Sequence, residues 1–164
     1  MNYPELRYIA KDGDIVFLTV DRANFMSKLT SWFTKSRYTH VAFLFWYKTR
    51  LMIIESTTHG GIRIVFASTY ADREFELIPA YKPWDEIEEI ALMRSGTADY
   101  GWMSAAYIGL RQYLFVNFDI ALPPHSTNRN KACSEFIAEV LDFDDSDISP
   151  GALHDRLSAK SDNY

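Results

Sequence analysis

The segment from His40 to Thr57 constrains the fold more than any other stretch of the chain. His40-Val41-Ala42-Phe43-Leu44-Phe45-Trp46-Tyr47 is rich in β-branched and aromatic residues. Arg50-Leu51-Met52-Ile53-Ile54-Glu55-Ser56-Thr57 repeats that character after a break at Lys48-Thr49. Two such runs joined by so short a break predict an antiparallel hairpin. Lys-Thr is not a preferred two-residue turn, so a longer loop also fits.

A register follows. With Trp46 opposite Leu51, Ala42 falls opposite Glu55 and His40 opposite Thr57. Residues two apart on a strand share a face. His40, Ala42, Leu44 and Trp46 then lie with Leu51, Ile53, Glu55 and Thr57. His40 and Glu55 become diagonal neighbours, with Cβ atoms roughly 7 Å apart. A slip of one residue would send them to opposite faces. Glu55 follows Leu-Met-Ile-Ile, where an unpaired carboxylate is costly. An imidazole partner would relieve that cost. The alternative is that Glu55 marks an exposed strand end and His40 simply starts a strand.

The rest of the chain supplies layers for this hairpin. Lys11-Asp12-Gly13-Asp14 is a turn signal before a strand at Ile15–Val20. Asp21 is a candidate cap for an amphipathic helix over Arg22–Phe33. Ser36–Thr39 reads as a polar loop. Further strands are expected at Ile62–Phe66 and Phe75–Pro79, and Ile90–Met93 reads as a short strand or helix end. A helix is expected over Asp99–Phe115, a loop with two prolines over Leu122–Asn130, and a helix over Ala132–Leu141. Ser149-Pro150 opens a last helix through Leu157, followed by a polar, frayed tail after Ser158. No linker divides residues 1–164, so the expectation is one α+β domain with a central antiparallel sheet packed with helices.

Cys133 is the sole cysteine, which excludes an intramolecular disulfide. It begins a stripe with Phe136, Ile137, Val140 and Leu141 at helical spacing. The stripe aims the thiol at the sheet from the first helical turn. There the positive end of the helix dipole favours thiolate, and free amides are at hand for an oxyanion. The plainer alternative is a small core residue. If His40 takes the thiol proton and Glu55 holds the ring, the three form a nucleophile, base and orienter.

Composition limits the rival chemistries. The 164 residues carry a net charge of -5, with scattered basic residues of which Lys28, Lys35 and Arg37 are the densest group. A solvated helix face explains that group, and no nucleic-acid partner is expected. His59, His125 and His154 are expected to be solvated. Tyr100 and Trp102 read as core or staple residues opening a helix. Glu135 lies where an acid favours the helix dipole. No His-x-x-x-His or Cys-x-x-Cys spacing suggests a metal, and no Gly-rich loop suggests a phosphate cofactor. The N-terminus has no signal-peptide h-region. The longest apolar run, Val41–Tyr47, is too short to span a bilayer. A cytoplasmic location, or carriage on a particle assembled there, is the corresponding expectation.

Four segments together resemble a known family. Asp12-Gly13-Asp14-Ile15-Val16-Phe17, Thr39-His40-Val41-Ala42, Ile54-Glu55-Ser56 and Ala132-Cys133-Ser134-Glu135-Phe136-Ile137 occur in an order similar to that of the circularly permuted NlpC/P60 hydrolases. Ile148-Ser149-Pro150 is similar to that family's ending. The resemblance implies a papain-like fold with His40, Glu55 and Cys133 as the catalytic site. It implies cleavage of an amide or related acyl bond through a thioester, without metal or other cofactor. Peptidoglycan-type peptides are the substrate class it suggests most directly. Two rivals stand beside it. One is a non-enzymatic structural or adaptor part of a larger assembly, such as a tail-associated component of a viral particle. The other is an acyltransferase or lipid hydrolase using the same three residues.

Overall fold

The hairpin at the centre of the computed structural model joins a ten-residue strand, Tyr38–Tyr47, to an eight-residue strand, Arg50–Thr57. The model describes residues 1–21, 25–57, 61–94, 102–123, 132–143 and 148–161. In chain order the elements are α1 (Tyr3–Ile9), β1 (Ile15–Thr19), α2 (Phe25–Thr34), β2 (Tyr38–Tyr47), β3 (Arg50–Thr57), β4 (Gly61–Phe66) and β5 (Phe75–Ile78). Then come α3 (Trp84–Arg94), α4 (Trp102–Phe118), α5 (Cys133–Val140) and α6 (Pro150–Ser161), with a 3-10 turn at Ala67–Tyr70 after β4. The strands form one five-stranded sheet in the order β4-β3-β2-β1-β5. Every neighbouring pair is antiparallel. The architecture is α+β, as the sequence predicts.

The hairpin closes through two residues. Tyr47 pairs with Arg50, and Trp46 with Leu51. Lys48 meets the tight turn by adopting a left-handed conformation, φ 56°, strained for a residue with a Cβ. The longer loop is therefore not used.

Two cores lie on the two faces of the sheet. Ile15, Phe17, Val41, Phe43 and Ile54 pack with Phe136 and Ile137 of α5, Ile87 of α3 and Leu153 of α6. Val16, Leu18, Ala42, Leu44 and Ile53 pack on the other side with Leu6 of α1 and Ala67 of the 3-10 turn. Double cover explains why β1 and β2 are apolar at successive positions instead of alternate ones.

Several boundaries differ from the sequence reading. β2 begins at Tyr38, inside the expected loop, because Tyr38 pairs with Thr19. Ile90–Met93 belongs to α3, whose acidic first turn (Asp85, Glu86) and basic last turn (Arg94) suit the helix dipole. α1 was not anticipated. It carries a capping box in which Asn2 accepts from the Glu5 N–H, and Glu5 from that of Asn2. α6 runs to Ser161, so the expected fraying after Ser158 is corrected. The expected start of α4 and most of the proline loop lie outside the described residues. No helix among the described residues is long and apolar enough to cross a membrane.

The α5 stripe is buried throughout: Phe136, Ile137 and Val140 at 0% exposure, Leu141 at 1% and Cys133 at 6%. Phe136 meets Phe43 edge to face, with centroids 6.1 Å apart. Phe136→Ala should destabilise the fold by about 3–5 kcal/mol, measured by urea unfolding. A loss well under 1 kcal/mol would mean that α5 is not docked as described.

Candidate active site

His40 and Glu55 meet where the hairpin stops being a ladder. Bridged pairing between β2 and β3 runs from Tyr47↔Arg50 to Phe43↔Ile54 and ends there. Both strands continue with other partners: His40 opposite Leu18 of β1, Glu55 opposite Arg63 of β4. The register is the expected one, but Ala42 and Glu55 are not bridged. In that stretch His40 Nε2 lies 2.7 Å from Glu55 Oε2. The Glu55 side chain is fully buried and that of His40 is 15% exposed.

A buried carboxylate needs more than one partner, and among the described residues Glu55 has three. Arg63 Nε and Nη2 lie 3.0 and 2.9 Å from Oε1. The Tyr70 hydroxyl lies 2.9 and 2.8 Å from the two oxygens, sharing its one proton between them. Burial pushes the Glu55 pKa up, but the His40, Tyr70 and Arg63 bonds outweigh it and hold the carboxyl below its ordinary value. Tyr70 is pushed up by burial and the adjoining carboxylate, so it stays a donor.

Cys133 approaches from the other side of the sheet. α5 packs on β2 and β3 in the core that holds Val41, Phe43 and Ile54, whereas Ala42, Leu44 and Ile53 belong to the opposite core. Two irregularities bring the groups together. The β1–β2 register shifts between Leu18 and Thr19, beside His40, and such a shift re-aims a side chain. The β2–β3 ladder ends just before Ala42. His40 thereby reaches Glu55 through Nε2, while α5 sets Cys133 against the same strand, in the core that holds Val41 and Phe43. Nδ1 is the nitrogen left for the thiol. Burial disfavours the charged ring, but Cys133 and Glu55 overcome it and push the His40 pKa up to about 10.

The start of α5 is open in one respect. Its N-cap is Ala132, and no side-chain cap bond is made there. Glu135 is buried, and its carboxylate accepts the Ala132 N–H at 2.6 Å. That bond adds to the dipole effect expected of an acid in the first turn, where Glu135 does lie.

Arg63 and Tyr70 were not anticipated as partners of Glu55. A signal for Arg63 was present. If β3 and β4 are read as a hairpin across 58–60, the opposite charges Glu55 and Arg63 face each other, a favoured cross-strand pair. Nothing comparable marks Tyr70, which arrives through the 3-10 turn. His154 corrects another expectation. Instead of being solvated it is 14% exposed, 2.8 Å from Glu76 Oε1 and stacked on Tyr38 at 4.3 Å. Glu76 also bonds the Tyr38 hydroxyl and Arg37, so this network ties α6 to β2 and β5. His59, His125 and Tyr100, and the side chain of Trp102, lie outside the described residues.

Fold and site define an α+β protein with a buried histidine–carboxylate pair beside a helix-borne thiol. No protein-family model matches the chain, and no curated protein matches it. A solved structure does share the fold: the crystal structure of metalloprotein yiiX from Escherichia coli O157:H7, DUF1105. The TM-score is 0.53 at 13% identity, over 88% of this chain and 92% of that one.

These findings correct the family resemblance. This neighbour is described as a DUF1105 metalloprotein, and no NlpC/P60 model matches. The four segments that suggested NlpC/P60 are short. A Gly turn into an apolar strand, a strand opening on His and a helix opening on Ala-Cys are also compatible with other sheets that carry a docked helix.

Proposed function

We propose that this protein is a thiol hydrolase that cleaves an amide- or ester-type acyl bond. Cys133 acts as nucleophile, His40 as acid and base, and Glu55 as orienter. One observation carries the reading: a single imidazole bonds a fully buried carboxylate at 2.7 Å, on the strand against which the helix bearing the chain's only cysteine packs. Fixing both ring nitrogens selects the protonation state and aim of the base. The placement of a thiol helix against a histidine-bearing strand is papain-like in arrangement. The peptidoglycan-type substrate came with the family resemblance and is dropped with it.

The chemistry follows from those contacts. The Cys133 thiolate attacks the substrate carbonyl carbon, and the carbonyl π electrons move to oxygen. First-turn amides of α5 face the developing oxyanion. As the tetrahedral adduct collapses, the His40 imidazolium gives its Nδ1 proton to the leaving amine or alkoxide. A thioester remains. Neutral His40 then takes a proton from water, the hydroxide displaces the thiol sulfur, and the acid product leaves with thiolate and imidazolium restored. Glu55 stays ionised throughout, held by Arg63 and Tyr70.

The neighbour's description as a metalloprotein raises the question of a metal here. The donor set does not fit one. Both Glu55 oxygens are already engaged by His40, Arg63 and Tyr70. Among the described residues no group of three or more His, Cys, Asp or Glu is placed to hold an ion. No step is routed through a metal.

Incubation with p-nitrophenyl acetate tests the proposal. Intact-mass analysis should show one transient acetyl group, located on Cys133 and lost on standing in water. A chain that never acylates, or acylates only on lysines, would refute it. Transfer of the acetyl group to an added amine in preference to water would mark an acyltransferase instead.

A further inference from the structure

We infer that the surface shared by α2 and α4 docks this protein on an anionic lipid bilayer. The inference is independent of the thiol chemistry. Trp32 is 61% exposed and Phe118 is 59% exposed, a large apolar surface to leave in water. They are joined in one strip: Trp32 stacks on Tyr113 at 5.7 Å, and Tyr113 meets Phe118 at 6.0 Å. Leu110, one turn before Tyr113 on α4, extends it at 45% exposure. The α4 sequence, Trp-Met-Ser-Ala-Ala-Tyr-Ile-Gly-Leu-Arg-Gln-Tyr-Leu-Phe-Val-Asn-Phe, has Arg111 as its sole charged residue. A helix apolar on most sides needs a second apolar surface besides the one it already packs on.

Charge identifies that second surface. Lys28 lies one turn before Trp32, and Lys35 follows the end of α2; both are exposed. Trp and Lys together are the residues of a membrane interface. The indole settles at headgroup level, while the lysine stems lie along the apolar layer and extend their ammonium groups to lipid phosphates. Asp119, exposed beside Phe118, is the opposing charge at the far end. The chain as a whole carries -5, which repels an anionic surface, so binding must rest on this local concentration of cations. An aromatic strip alone would suit a second copy of the chain equally well. The flanking lysines favour lipid, because two copies meeting face to face would bring like charges together.

Co-sedimentation with vesicles tests this. The full chain should pellet with phosphatidylcholine vesicles holding about 30% phosphatidylserine, and should remain in solution with phosphatidylcholine alone. Each lysine near an anionic surface contributes about fivefold. K28Q/K35Q should therefore partition about 25-fold more weakly, and Trp32→Ala about tenfold more weakly. Both variants should keep the wild-type far-UV spectrum, since the substituted side chains are exposed. Equal partitioning of wild type and K28Q/K35Q would overturn the inference, as would no binding to the anionic vesicles. So would a stable dimer, seen by analytical ultracentrifugation, that Trp32→Ala separates.

Discussion

Cys133→Ala should lower hydrolysis of p-nitrophenyl acetate by about 10⁴-fold or more and abolish the acyl adduct. The size of the effect follows from the proposed covalent route, because no second cysteine exists to take over the thioester. The fold should survive. Cys133 is a small residue in the first turn of α5, 6% exposed, and alanine is a good helix former. Melting should therefore shift by only a few degrees. Activity and stability separate here, which a core-packing role for the thiol would not permit. A variant that keeps full turnover would remove Cys133 from the chemistry.

Glu55→Gln should be costly in both respects. The substitution keeps the volume but turns one acceptor into a donor facing groups that donate. Arg63 and Tyr70 lose part of their shared partner, and imidazolium loses its counter-charge. Removing one member of a buried charged network costs about 3–5 kcal/mol. Turnover should fall about a hundredfold, as the ring loses its fixed aim. Acid titration distinguishes this from simple damage. The folded-state pKa of Glu55 is held below the ordinary 4.5. Its contribution is therefore present above pH 4.5 and is lost as pH falls through the folded value. Wild type should lose stability more steeply than Glu55→Gln below that pH, measured by urea unfolding. Parallel curves would mean that Glu55 is not the buried anion described.

The hairpin was legible because its two strands carry their register in their own side chains. Trp46 against Leu51 places Glu55 near His40 without further information, and that pairing is observed. Cys133 was legible as a helix start because its stripe repeats at helical spacing. What could not be read was how groups assigned to different faces meet. That depends on the Leu18/Thr19 register shift and on the ladder ending at Phe43↔Ile54, neither of which has a periodic signature. Tyr70 was hidden for a similar reason: a 3-10 turn fixes its position, and its only sequence mark is a tyrosine in a polar stretch. His154 misled because a late-helix histidine looks solvated until Tyr38 of β2 and Glu76 of β5 are placed under it. The α1 capping box, by contrast, is a local signal, carried by Asn2 and Glu5 in the sequence itself.

Alkylation of Cys133 by iodoacetamide, with and without His40, tests the thiolate–imidazolium pair most directly. The His40 pKa, pushed up to about 10, keeps the ring protonated across neutral pH. An imidazolium beside the sulfur favours the nucleophilic thiolate, so at about pH 7 wild type should alkylate about tenfold or more faster than His40→Ala. If the two proteins instead alkylate at the same rate, the sulfur and the imidazole do not act as a pair, and the proposed mechanism is wrong.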